Sequence, residues 1–357
     1  MKIDVISSNA PYIINVATRD TNANALGNYK VYIGTTISDN YLIYSGKLYS
    51  EEGHAISVPV NLQPIFVNYT PKNVGIMQNK SGNFQPVPAS SSLSQRFTVV
   101  YDTITGSTAT KDLYMIYCTE NATNQELGWD SSTSTFPYIA NDYIQNTYVA
   151  GTYFSLLRLC PGGGNSVTLE LTETLESGDV ATSTMTYTNG TYRSGGVLQL
   201  NDSTVSFSIT IDGEPAVTNM KVINCLPENS YILYYVNSLG AIDWLICDKK
   251  NTVTYNADRH SMTRYANIQD RTAFGKLNYL NNTSTTWALN TDIMNDEQSK
   301  QMYKVFNSEY IWLYDVDKGQ MNSVVIEDAS LKIKSFNTDK VYNYTITVKS
   351  SQTFTIR

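Results

Sequence analysis

The chain has 357 residues, 41% hydrophobic and 16% charged, with 25 Lys and Arg against 32 Asp and Glu for a formal net charge of −7. That length suits two or three domains, and an acidic balance without any run of Lys or Arg argues against direct binding of nucleic acid. No apolar run approaches the ~18 residues of a membrane span and Met1 to Asn9 carries no apolar leader, so the expectation is a soluble, cytoplasmically made protein without a transmembrane segment.

Asn, Thr and Ser dominate the polar residues, and 27 Tyr accompany them. Thr, Tyr, Val and Ile suit half-buried strands, while Asn, Asp, Ser and Gly supply turns. The expected fold is mainly β: several β-sandwich or barrel-like modules, with one short helix in a C-terminal α+β module. Residues 1–84 are read as an N-terminal β module. Gln85-Pro86-Val87-Pro88-Ala89-Ser90-Ser91-Ser92 reads as a linker, 85–95, because its prolines and serines disfavour regular structure. Residues 96–250 form the expected central β module.

Within it, Val167, Leu169 and Leu171 alternate with polar residues, as do Val205, Phe207, Ile209 and Ile211, so each run should bury one face. Two nearly continuous apolar runs, 231–236 and 241–247, flank Asn237-Ser238-Leu239-Gly240 and predict a hairpin buried on both faces, with Asp243 its one charge, held by a hydrogen bond at the hairpin end. A weaker boundary near Asp248-Lys249-Lys250-Asn251 opens the C-terminal strand-helix-strand module, 251–357. One helix is predicted over 294–306: Asn295 and Gln298 form a capping box, Asp296 and Glu297 suit the positive end, and Met302, Val305 and Phe306 make an apolar stripe. The stripe should pack on strands carrying Ile311, Leu313, Val325 and Ile346. Tyr342, Tyr344, Ile346 and Val348 mark a last strand.

Candidate chemistry is thin. His54 and His260 belong to no spaced pair, and both are read as surface or turn residues. Cys118, Cys160, Cys225 and Cys247 lack CxxC spacing and are read as buried thiols. Gly162-Gly163-Gly164 is read as an interstrand loop, and Asp315-Val316-Asp317-Lys318-Gly319 as a hairpin turn in place of a calcium loop, its Gly falling one place early. Glu170, Glu173 and Glu176 are candidates for a glycosidase pair by proximity, weighed against solvent-facing charges. The expectation is no catalytic, cofactor or metal residue, no cofactor and no enzyme activity.

One resemblance is more specific. Trp287-Ala288-Leu289-Asn290-Thr291, Asn295-Asp296-Glu297-Gln298 and Phe306-Asn307-Ser308-Glu309-Tyr310-Ile311-Trp312-Leu313 resemble a module in virion proteins of tailed phages infecting gut Bacteroidetes. Tyr234 to Asp243 is similar to that group's Tyr-x-Asn-x-x-Gly-Gly-x-Asp pattern, with Ala241 where a second Gly often stands. The resemblance spans roughly residues 225–350. It implies a structural protein of the tail, neck or baseplate region, with a crAss-like tail hub as the specific form, contacting copies of itself in a ring or cluster and other tail or neck proteins. Two other readings stand beside it: a carbohydrate-binding module using Trp129, Trp312 or surface Tyr, and a polysaccharide depolymerase.

Overall fold

Alternating apolar residues and Asn-, Gly- and Ser-rich turns build a mainly β architecture of several sheets. The structure is a computed structural model that describes residues 3–7, 11–18, 25–50, 57–70, 85–87, 94–104, 107–116, 138–139, 143–159, 167–187, 193–237, 241–263, 276–327, 343–352 and 354–356. The chain divides into two compact units. The first holds 1–142, 146–224 and 237–242, and the second 143–145, 225–236 and 243–357. The main division therefore falls at 224/225, ahead of the 250/251 boundary read from sequence, because most of the buried hairpin, 231–236 and 243–247, belongs to the second unit.

The first unit begins with β1 (Ile3–Ser7), β2 (Ile13–Ala17), β3 (Ala25–Ile33), β4 (Leu42–Ser50) and β5 (Ser57–Asn61), followed by helix α1 (Gln63–Tyr69), β6 (Gln85–Val87), β7 (Ser94–Asp102) and β8 (Thr108–Ile116). One sheet has the order β1-β8-β7-β3-β4, with β1 parallel to β8, and β2 pairs with β5. Helix α1 lies in a segment that the sequence reads as strands only. Pro64 suits its first turn, and the Asn61 side chain accepts from Tyr12 N (3.2 Å) and Gln63 N (3.1 Å), tying its start to β2. Its Phe66 is fully buried among Ile14, Val31, Phe97, Val99 and Leu113, with ring centroids 4.8 Å from Phe97. Strand β2 crosses close to β3: a Cβ added at Gly27 would stand 2.6 Å from the Ala17 carbonyl oxygen, so this crossing needs glycine.

The rest of this unit comprises β9 (Tyr138–Ile139), β10 (Thr147–Val149), β11 (Tyr153–Leu159), β12 (Val167–Leu175), β13 (Val180–Tyr187), β14 (Arg193–Val197), β15 (Thr204–Ile211) and β16 (Glu214–Ile223). They form two sheets, β10-β16-β15-β12-β13 and β6-β14-β11-β9. Tyr148, Phe154 and Phe207 come from both sheets and meet edge to face at 5.5, 5.8 and 5.7 Å, joining the sheets in one core. Residues 85–87, expected in the linker, are the strand β6, paired with β14. Pro86 is tolerated there because β6 is an edge strand. Leu169, Leu171, Phe207, Ile209 and Ile211 face inward as read, but Val205 is 41% exposed. The register between β12 and β15 jumps from Thr174↔Ser206 to Leu175↔Thr204, and Val205 is the residue skipped.

The second unit is built on β17 (Tyr231–Val236), β18 (Ile242–Cys247), β19 (Thr252–Thr263), β20 (Lys276–Asn290), β21 (Ile311–Asp315), β22 (Gln320–Ile326), β23 (Thr345–Ser350) and β24 (Phe354–Ile356), with helices α2 (Asp296–Gln301) and α3 (Tyr303–Phe306). The sheet order is β18-β17-β21-β22-β23-β20-β19, with β24 on β20. Every residue of β17 and β18 is buried, as the apolar runs require. The capping box forms, with Gln298 N donating to Asn295 Oδ1 (2.9 Å) and Asn295 N to Gln298 Oε1 (3.0 Å). The single expected helix is two, meeting at Met302. Met302 and Val305 are fully buried with Ile311, Leu313 and Ile346, whereas Phe306 is only partly buried. Val325, expected to face the helix, is 50% exposed, and Val324 occupies the core. A one-residue slip in reading a strand turns every side chain over. Asp243 is fully buried in β18 beside Tyr143, whose phenol pKa is pushed well up by burial and by that carboxylate.

Candidate interaction surface

Strands β19 and β20 of the second unit pair as a long ribbon. These strands run 12 and 15 residues, against five to seven for β17, β18, β21, β22 and β23. Strand β23 covers only Thr286–Asn290 of β20, and β24 only Asn281–Thr283. Lys276–Leu280 and the facing His260–Thr263 pair with each other alone among the described residues. A two-stranded ribbon is marginal in water, because it lacks an apolar face to bury.

Its base is held firmly. The Asn251 side chain donates to the carbonyls of Asn229 and Cys247, both at 2.9 Å, and accepts from Asn290 N at 2.8 Å. Asn290 Nδ2 returns a bond to Lys250 O. The segment 248–251 is thus a tight, hydrogen-bonded turn from β18 into β19. Lys249 reaches Asp292 (3.1 Å) and Asp248 (3.3 Å), and the Asp292 contact leads in raising its pKa. Val253 still packs on the core. Beyond it, residues 254–262 are all exposed, with Tyr255 at 79%. His260, expected in a connector, lies within β19, its Nε2 3.5 Å from Asp258 Oδ2. The register with β20 shifts between His260 and Ser261, where Tyr279 of β20 is the extra residue. On its outer edge β19 has no paired strand among the described residues.

Two further surfaces share this character. Strand β13 ends its sheet and reads Val-Ala-Thr-Ser-Thr-Met-Thr-Tyr, without charge or proline to block pairing. At the start of β21, Tyr310, just before the strand, and Trp312 stack with centroids 6.3 Å apart and an interplanar angle of 16°, both half-buried. Burial first, then Glu309, raises the Tyr310 pKa.

The sequence candidates for chemistry are dispersed. Glu170 and Glu176 are exposed, but Glu173 turns inward and is 4% exposed. Its carboxylate accepts from Asn201 N (2.8 Å), Asn201 Nδ2 (3.2 Å) and Thr204 Oγ1 (2.5 Å), fixing the turn before β15, so it is structural and faces no carboxylate partner on β12. Asp315 accepts from Lys318 N and Nζ at 3.1 and 2.7 Å, and Asp317 from Asn229 N at 2.7 Å, completing a turn closed by Gly319 at φ 62°. Cys247 is buried and its thiol pKa is pushed up by burial, then by Asp248. Cys225, expected to be buried, is exposed, because it follows the end of β16 in an open turn. His54, Cys118, Trp129, Cys160 and Gly162 to Gly164 lie outside the described residues. Among the described residues, no three His, Cys, Asp or Glu side chains group as metal ligands, and no helix is long and apolar enough to cross a membrane.

No family model and no curated protein matches the chain. Among solved structures, the calcium-binding domain CBD12 of CALX1.1 is 12% identical over 60% of this chain and 77% of that chain, with a TM-score of 0.18. An overlay that loose carries no argument about fold or ligand.

Proposed function

We propose that the chain is a non-catalytic structural subunit of a phage virion, a tail or tail-hub component that works by joining copies of itself and neighbouring tail or neck proteins. The observation that carries this reading is the β19–β20 ribbon: a long edge of backbone donors and acceptors, anchored at its base, with residues 254–262 of β19 all exposed. Such an edge is a ready template for another strand. The open, uncharged β13 adds a second site of the same kind. The resemblance of residues 225–350 to modules of Bacteroidetes phage virions supplies the class of particle. Negative-stain imaging and light scattering of the purified chain, alone and within particles, test the reading. Rings or clusters of several copies are expected, and a monomer absent from every particle overturns it.

The half-buried Tyr310–Trp312 stack favours a second reading, a carbohydrate-binding module, since aromatic faces stack on sugar rings. A glycan array separates the two: Trp312→Ala abolishing a saturable signal supports the module, and no signal removes it.

A further inference from the structure

We propose that β19 of one copy pairs antiparallel with β19 of a second copy about a two-fold axis at Ala257, joining the two ribbons into a continuous sheet β20-β19-β19-β20. The pairing rests on the assembly reading above, to which it adds the partner and the register.

Thr254-Tyr255-Asn256-Ala257-Asp258-Arg259-His260 are all exposed and pair in unbroken register with β20, which leaves their outer edge regular. A two-fold axis normal to the sheet keeps each side chain on its own face, so residues of like parity must oppose one another. Centred on Ala257, Ala257 meets Ala257, Asn256 meets Asp258, Tyr255 meets Arg259 and Thr254 meets His260. The Asn256 amide can donate to the Asp258 carboxylate, and the Arg259 guanidinium can lie on the Tyr255 ring. Ala257 at the axis leaves room for close approach. The neighbouring registers toward the ribbon tip are poorer. Centring on Asp258 sets two carboxylates directly opposite, and centring on Arg259 opposes two guanidiniums, each a like-charge pair. Centring on Asn256 sets Asp258 against Thr254 and Tyr255 against Ala257, so both the amide–carboxylate and the guanidinium–ring contacts are lost. Of these centres Ala257 is the one that makes both contacts without a like-charge pair, whereas β13, with no charge, favours none.

Disulfide trapping in the full-length chain tests the pairing. Directly opposed residues of an antiparallel pair have Cα atoms about 4.5–5.5 Å apart, within disulfide range. In a Cys225→Ser background, Ala257→Cys is expected to give a disulfide-linked dimer under mild oxidation. Asn256→Cys and Asp258→Cys are expected to link efficiently only when mixed. Val205→Cys, exposed but on the other unit, serves with the parent as a control for random collision. Thermal melts matched to the parent establish that each variant is folded. Linkage of folded Ala257→Cys no faster than Val205→Cys overturns the pairing, and linkage of Asn256→Cys alone as fast as Ala257→Cys overturns the register. If the chain is a particle component and Ala257→Cys fails to link, the pairing falls and the virion reading stands. If Ala257→Cys links in a chain absent from particles, the pairing stands and the virion reading falls.

Discussion

Met302→Ala is the sharpest probe of the second unit. Met302 is fully buried at the junction of α2 and α3, in the core formed by Leu289, Ile311, Leu313 and Ile346. Helices of six and four residues cannot persist alone, so apolar burial is what holds them. Removing a buried Met side chain costs about 2–5 kcal/mol, and full burial between two short helices places Met302 in the upper half of that range. Phe306 is a larger side chain but only partly buried, so Phe306→Ala is expected to cost less, and exposed Lys300→Ala should stay within about 0.5 kcal/mol. Val324→Ala and Val325→Ala extend the comparison along β22, the first costing about 2 kcal/mol and the second little. Three of the four Trp, Trp244, Trp287 and Trp312, lie in this unit, so denaturant unfolding followed by tryptophan fluorescence reports mainly on it. A Phe306→Ala loss equal to or above that of Met302→Ala would refute the packing described, as would a larger effect at Val325 than at Val324.

Three predictions concern the first unit. Gly27→Ala forces a Cβ to 2.6 Å from the Ala17 carbonyl oxygen, and overpacking against backbone should lower stability by about 1–3 kcal/mol; an unchanged denaturant midpoint contradicts the close crossing. Glu173→Ala strands the Asn201 and Thr204 donors and should cost about 3 kcal/mol, against little for Glu176→Ala, and equal midpoints would return Glu173 to the solvent-facing role. Burial, then the hydrogen bond with Tyr44, pushes the Tyr29 phenol from 10.0 up to about 12. Because the folded pKa is raised, the stability it contributes is intact below pH 10.0 and is lost as pH rises to about 12. Tyr29→Phe should therefore flatten the alkaline decline over that window, and a decline as steep as in the parent refutes the assignment.

Much of the second unit was legible because its signals are local. The apolar runs of β17 and β18, the Asn295–Gln298 box, and Tyr344, Ile346 and Val348 each act within a few residues. What escaped depends on distant partners. Val324 and Val325 are adjacent and equally apolar, and only pairing with Ile311 and Ser350 decides which faces inward. Glu173 reads as a surface charge until three donors from Asn201 and Thr204 surround it. The parallel pairings of β1 with β8 and β10 with β16 join segments far apart in the chain, which no periodicity encodes. The ribbon was the largest omission among surfaces. Residues 281–286 of β20 read Asn-Asn-Thr-Ser-Thr-Thr, polar at every position, so the strand lacks the alternation by which a half-buried strand is recognised.

The central claim is that the chain is a structural component of a virion, and the most direct test is quantitative mass spectrometry of gradient-purified particles from a lysate producing it. The account predicts that the chain co-purifies with tail-bearing particles, in fixed proportion to the other tail proteins, through successive gradients. A chain abundant in the lysate but absent from purified particles would contradict it.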